Sequence, residues 1–245
     1  MTDSDRRQAR SFGTAADRYD RLRPGYAVDA VVRALGERPL RVADVGAGTG
    51  ILSRLLQRLG HDVVAIEPDD RMRARMAQAS PGVMAVAGTA EEIPLLDRSV
   101  DAVVAGQAYH WFETERAHPE IARVLRPGGV FAAMWNDADP RAPWTVRLVE
   151  IIDGPEAPIL ARRRSEFGGL FGPVTVAEFR HEVWLTLDEL VALTTTRSPY
   201  LVATPQGRQD LIDAVRRLAA GAALPDRERF PMPHVTRVHR ATVNH

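Results

Sequence analysis

The chain has no cysteine. Thiolate nucleophiles, disulfides, cysteine-held iron–sulfur clusters and cysteine zinc sites are therefore excluded. It also has no lysine, so all 32 of its strongly basic residues are arginines. Schiff-base chemistry, attachment of pyridoxal phosphate, lysine general bases and the lysine of a phosphate P-loop go with it. There is no surplus of either charge, since 32 acidic residues balance the arginines, and the basic residues are scattered rather than massed as in a nucleic-acid binder. Nor is there an apolar run near the roughly 18 residues of a membrane-spanning helix. The opening MTDSDRRQARS lacks the apolar core of a signal peptide. These absences lead us to expect a cytoplasmic protein with neither nucleic-acid nor membrane partners and no bound metal. With 245 residues, 45% of them hydrophobic, the chain is long enough to bury a full core as one domain spanning 1–245.

The strongest positive signal is RVADVGAGTG, residues 41–50. A short apolar strand runs into a glycine-rich turn, and the apolar-periodic ILSRLLQRL follows at once as a helix. Gly46, Gly48 and Gly50 let the chain take left-handed dihedrals and let a ligand approach bare backbone, where the first unpaired N–H groups of the helix point. A second strand, DVVAIEP, carries Glu67, 21 residues after Gly46. That is the spacing at which a βαβ unit offers a carboxylate to a ribose diol. The combination predicts an adenosine-containing cofactor. The turn reads G-A-G-T-G rather than the G-x-x-G ending typical of dinucleotide enzymes.

Further along, strand and helix signals alternate through residues 41–136, which predicts a parallel sheet covered on both faces. A third strand, VMAVAG, leads into GTAEEIPL. A fourth runs through DAVVAGQAYHW, and a helix from about Glu115 to Leu125 stops at Arg126-Pro127-Gly128-Gly129 before a fifth strand, VFAAMW. Upstream, Ala27 to Leu35 reads as a helix. Downstream, VTVAEFRHEVWL and RERFPMPHVTRVHRATV read as long strands flanking the helical LDELVALTTT and PQGRQDLIDAVRRLA.

Taken in order, DVGAGTG, the acid ending the second strand, GTAEE and L-R-P-G-G resemble the motifs of the class I S-adenosylmethionine-dependent methyltransferases. Radical use of that cofactor is excluded because it needs a cysteine-held cluster. The resemblance implies an α/β, Rossmann-like fold: a seven-stranded, mostly parallel sheet with helices on both faces, an antiparallel last strand and a small helical lid. It divides the domain into an N-terminal cofactor cover (1–40), a cofactor-binding core (41–136) and a C-terminal part with lid helices and final strands (137–245). It also implies S-adenosyl-L-methionine as cofactor. By the same resemblance Asp44 lies near the methionine end, and Gly46, Ala47 and Gly48 form the close turn. Glu67, followed by Pro68, takes the ribose hydroxyls, Ala90 and Glu91 border the adenine, and Gln107 touches the methionine part. Asp69 and Asp70, after the proline, are expected to cap a helix instead.

The loop Tyr109-His110-Trp111-Phe112 is where cofactor and substrate are expected to meet. His110 has a side chain suited to proton removal near neutrality, and is the catalytic candidate; orientation of the loop is its other reading. Tyr109, Trp111 and Phe112 are candidates for an aromatic wall beside the sulfonium, with ordinary core packing as the alternative. Phe12, Tyr19, Arg23-Pro24 and Tyr26 match a phrase F-x(6)-Y-x(3)-R-P-x-Y of small-molecule members. There Tyr19 implies a contact to the cofactor, while Phe12, Arg23 and Arg197 are substrate candidates, the arginines for any carboxylate the substrate carries. Within the family the chain looks most like the trans-aconitate and ubiquinone/menaquinone group. No Asn-Pro-Pro-Tyr phrase follows the fourth strand, which argues against a nucleobase target. The expected reaction is methyl transfer to an O or C centre of a small organic molecule. An NAD(P)-dependent oxidoreductase and a non-catalytic adenosyl-binding module remain as alternatives.

Overall fold

A computed structural model describes residues 20, 23–154, 167–221 and 228–244. Phe12, Tyr19 and most of the expected N-terminal cover lie outside the described residues. Seven strands form one sheet: β1 (Arg41–Val45), β2 (Asp62–Ile66), β3 (Met84–Val86), β4 (Val100–Gly106), β5 (Leu125–Ala138), β6 (Thr175–Leu185) and β7 (Phe230–Thr242). Their spatial order is β3-β2-β1-β4-β5-β7-β6. β1 to β5 pair in parallel, and β7 runs antiparallel to both neighbours. The expected seven-stranded, mostly parallel architecture with an antiparallel last strand is present.

β1 and β2 each bury four consecutive residues, which a strand covered on both faces requires. The covering helices are α1 (Val28–Leu35), α2 (Ile51–Arg58), α3 (Asp70–Ala79) and α4 (Thr114–Val124). On one side Leu52, Leu55 and Leu56 of α2 join Ala30, Val31 and Ala34 of α1 against Val42, Ala102 and Met134. On the other, Ala117, Ile121 and Val124 of α4 pack on Val103, Phe131 and Trp135. A third core gathers at the C-terminal side from α5 (Pro143–Asp153), α6 (Leu187–Thr194) and α8 (Pro205–Gly221), with Leu148, Leu190 and Val215 against Phe230 and Met232 of β7. The short α7 (Ser198–Val202) completes that helical cap.

Two segments differ from the sequence expectation. Arg126-Pro127-Gly128-Gly129 does not form a turn before the fifth strand. α4 ends at Val124, Leu125 already pairs with Val100, and the ladder then shifts register between Val100 and Ala102. Gly128, at φ +75°, absorbs the local kink in this bulge-like irregularity. α5 was not legible either: its apolar face is spread among a tryptophan, an arginine and a glutamate. No helix among the described residues is long and apolar enough to cross a membrane.

Because the strand order reverses between β1 and β4, a crevice opens beyond the carboxyl ends of the parallel strands, where α/β sheets of this kind hold their ligands. β7 runs the other way, so its first residues arrive at the same edge.

Candidate active site

A cavity of about 1330 Å³ occupies this edge. Its first half is built by the turn after β1. Gly46 and Ala47 donate their N–H groups to Ile66 O at 2.8 and 3.1 Å, which ties the turn to the end of β2. The three glycines do different jobs. A Cβ on Gly46 would stand 2.6 Å from Ala108 Cβ, and one on Gly50 2.7 Å from Met76 Cγ. A side chain at either position would crowd these neighbours, and Gly46 also lines the cavity. Gly48, at φ +59°, has nothing within 4 Å of its missing Cβ and lines the cavity, so its backbone is open to a ligand.

Glu67 closes this cradle. Its Oε2 accepts from Gly48 N at 2.8 Å and its Oε1 from Asp69 N at 2.9 Å. Burial raises its pKa, and the two backbone donors pull it back. A carboxylate has about four acceptor sites, so room remains for two hydroxyls. Asp69 caps α3 as expected, accepting from Arg71 N and Met72 N. Asp44 is fully buried; Oδ2 accepts from Ser53 Oγ at 2.6 Å, while Oδ1 has no partner. Burial, reinforced by Glu67, raises its pKa from 3.8 to about 7. An unsatisfied carboxylate oxygen on the cavity wall is a site waiting for a donor or a cation. An adenosyl group bearing a cationic amino-acid tail fits these features: a diol acceptor at Glu67, open backbone at Gly48 and an orphan acceptor at Asp44.

Pro68, Ala90 and Glu91 line the same half. Glu91 Oε1 accepts from Glu113 N at 2.8 Å, securing the start of α4. Gln107 sits at the end of β4 with φ +56°, a rare conformation for a residue with a side chain. Its Nε2 donates to Asn136 O at 2.7 Å, leaving Oε1 as its cavity-side group. Asn136, which sequence reasoning missed, extends the link: Nδ2 donates to Gly25 O at 2.7 Å, and Oδ1 accepts from Thr236 Oγ1 at 3.2 Å. The strand ends are thereby tied to the segment that carries Arg23.

His110 is exposed and, with Trp111, lies on the cavity wall. Its Nδ1 accepts a long contact from Trp135 Nε1 at 3.4 Å, which places the proton of the neutral ring on Nε2. Tyr109 is not on the cavity wall, contrary to expectation. It is buried among Phe112, Phe131, Trp135 and Phe167, with its hydroxyl 3.0 Å from His118 Nε2. In the one-turn 3-10 helix after Gln107 successive side chains point about a third of a turn apart, so the turn that sets His110 and Trp111 on the cavity sends Tyr109 into the aromatic core.

The second half of the cavity lies under α5, α6 and α7. Arg23 and Arg197 both reach it. Arg23 Nη2 is 3.5 Å from Thr196 O, and Arg197 Nη2 pairs with Asp153 at 2.5 Å. Arg197 is therefore not an open fork for a carboxylate. Leu148, Ile152, Leu193, Met232 and His234 complete this wall; none was marked in the sequence, because only the packing of α5 and α6 over β7 brings them together.

Comparison with known proteins now bears on this geometry. Residues 43–133 match the family described as methyltransferase domain. An uncharacterized methyltransferase of Mycobacterium tuberculosis is 42% identical, over 99% of this chain and 100% of the relative. The chain belongs to the methyltransferases. A malonyl-[acyl-carrier protein] O-methyltransferase of Methylococcus capsulatus is 38% identical over 50% of this chain and 48% of its own length. A solved structure from Anaeromyxobacter dehalogenans, provisionally assigned as a type II methyltransferase, shares the fold with a TM-score of 0.63 at 24% identity, covering 91% and 97% of the two chains. This methyltransferase is of class I and depends on S-adenosylmethionine. The nicotinamide alternative loses its basis, since the cradle stands within the matched domain.

Proposed function

We propose that the protein methylates an O or C centre of a small organic molecule held in the second half of the cavity. The observation that carries this reading is the continuity of the cavity: the Gly48–Glu67 cradle and the chamber under α5 and α6 belong to one space. When bound, S-adenosylmethionine supplies a methyl group already activated on a sulfonium.

The protein's own residues bind, orient and exclude water. Glu67 accepts from the ribose diol, Gly48 and Ala47 bring backbone against the nucleoside, and Pro68, Ala90 and Glu91 border the base. Asp44 and Gln107 hold the amino-acid end, with Tyr19 of the N-terminal segment as a further contact. Trp111 and Phe12 wall the acceptor side, and the C-terminal part, 137–245, provides the lid. Arg23 and Arg197 fix the rim of the acceptor chamber, the second through its pair with Asp153. Holding nucleophile and methyl in line inside a closed chamber is worth up to roughly 7–11 kcal/mol in favourable cases. His110 is the proposed base where the acceptor must lose a proton; it can act through Nε2 once the long Trp135 contact is given up.

The trans-aconitate and ubiquinone/menaquinone-like group remains our reading of the subtype, supported by the Arg23-Pro24-x-Tyr26 phrase and the helical insertion before β7. The Methylococcus capsulatus relative, by its name, methylates an oxygen of malonyl carried on acyl carrier protein. It supports an oxygen target. A metabolite-library screen that detects S-adenosylhomocysteine release tests the whole reading. Release with at least one small acceptor is expected; cofactor binding with no release from any acceptor would leave the non-catalytic adenosyl module.

A further inference from the structure

On the wall of the acceptor chamber stands a polar side chain, His234, whose hydrogen-bonding role is fixed by the fold and which the reading above leaves without a function. His234 lies in the first third of β7, opposite Ala138 at the carboxyl end of β5 and opposite His181 in β6. It is 4% exposed, and what remains accessible is cavity wall. Its Nδ1 lies 2.9 Å from Met232 O. A carbonyl oxygen only accepts, so Nδ1 carries the proton. The other nitrogen, Nε2, has no hydrogen bond among the described residues and, in the neutral ring, is an acceptor with a free lone pair.

The surroundings keep the ring neutral. Burial lowers its pKa from 6.5 to about 4, and His181 and Arg197 act in the same direction. Much of the surrounding wall is apolar. Leu148, Ile152, Leu190, Leu193 and Met232 give hydrocarbon surface, and Arg197 is neutralised by Asp153 at 2.5 Å. A free carboxylate or phosphate at Arg197 would have to displace its ion pair with Asp153 and would face an imidazole that has no proton to offer on its cavity side.

We propose that His234 is a specificity-determining residue, whose Nε2 accepts a hydrogen bond from a hydroxyl on an uncharged, largely apolar acceptor. The proposal rests on the methyltransferase reading and names its substrate class. It makes a carboxylate-bearing acceptor the weaker fit, because Arg197 is already paired with Asp153 and the cavity-side nitrogen of His234 has no proton to give. A site that accepts a hydrogen bond in an apolar chamber discriminates strongly against molecules that cannot donate one, since its own acceptor would be left unpaired.

The test uses the full chain saturated with S-adenosylhomocysteine. Three matched series of probes are titrated calorimetrically: 4-alkylphenols, the corresponding anisoles and the corresponding benzoates, with chains of two to six carbons. Phenols are expected to bind about tenfold tighter than their anisoles, the size of one buried hydrogen bond, and benzoates to bind weakest. His234→Phe should abolish the phenol preference while anisole affinity and S-adenosylmethionine affinity stay unchanged. In the unsubstituted protein, imidazole 15N spectra at pH 7 should show Nδ1 protonated and Nε2 bare, with the Nε2 resonance moving when a phenol is added. Equal binding of phenols and anisoles, preference for benzoates, absence of binding in all three series, or a proton on Nε2 would each overturn the proposal. Loss of S-adenosylmethionine binding itself would instead strike the underlying reading, so the two failures are distinguishable.

Discussion

The backbone N–H of Gly48 donates to Glu67 Oε2 at 2.8 Å. The end of one strand and the turn after its neighbour are thus a single unit, and the carboxylate proposed to read the ribose also holds the backbone that approaches the nucleoside. Removing the side chain therefore disturbs both parts.

For Glu67→Ala we expect S-adenosylmethionine affinity to fall by about 1–3 kcal/mol, the cost of lost charge-assisted hydrogen bonds and of leaving the Gly48 N–H without its partner. Isothermal titration calorimetry measures this directly. An unchanged dissociation constant would remove Glu67 from the cofactor site.

The two cavity-side glycines should separate stability from binding. Gly46→Ala forces a methyl to within 2.6 Å of Ala108 Cβ at a left-handed φ, and is expected to destabilise the fold by about 2–5 kcal/mol. Gly48→Ala meets open space and should cost only the backbone strain, about 1–2 kcal/mol. Its methyl stands where the ligand comes, so cofactor affinity should fall by more than stability does. Thermal melts and calorimetry on both variants give the comparison, and equal melting temperatures for the two would contradict it.

Asp44 has a raised pKa, about 7 against 3.8. Between these values the folded protein holds a proton that the unfolded chain has released, so this group's contribution to stability declines as pH rises from about 4 to about 7. Asp44→Asn should therefore gain stability relative to the unsubstituted protein on going from pH 4 to pH 8, by roughly 2–4 kcal/mol. His234, with a depressed pKa, titrates in the opposite sense and cancels in that difference. A cationic ligand favours the ionised carboxylate, so cofactor affinity in the unsubstituted protein should rise from pH 5 to pH 8. Flat profiles in both measurements would show that Asp44 does not titrate across this range.

If His110 removes the acceptor's proton, His110→Ala should lower kcat by about 10²–10⁴-fold with a hydroxyl or carbon acceptor. Trp135→Phe, which frees Nδ1 from its 3.4 Å contact, should leave activity within an order of magnitude. A loss below tenfold in His110→Ala would reduce His110 to a residue that orders its loop.

The cradle was legible because its signals are local. Glycines at fixed offsets, a short strand before them and an acid closing the next strand lie within 28 residues of chain, Arg41 to Pro68, and each specifies its own backbone geometry. The same local view assigned all three glycines one purpose, although Gly46 and Gly50 answer to Ala108 and Met76, residues fixed only by packing. Tyr109 and His110 are adjacent in sequence yet face opposite ways, one into the aromatic core and one to the cavity, and nothing in the loop's composition separates them.

By itself, then, the sequence determined the alternation of strands and helices through residues 41–136 and the Gly48–Glu67 cradle, because short-range periodicity and backbone-permissive residues encode those directly. The tertiary structure alone decided the acceptor chamber. Arg23, Asn136, Ile152, Leu190 and His234 come from five separate stretches of the chain. Only the antiparallel return of β7 to the carboxyl edge, with α5 and α6 closing over it, turns their scattered chemistry into one surface.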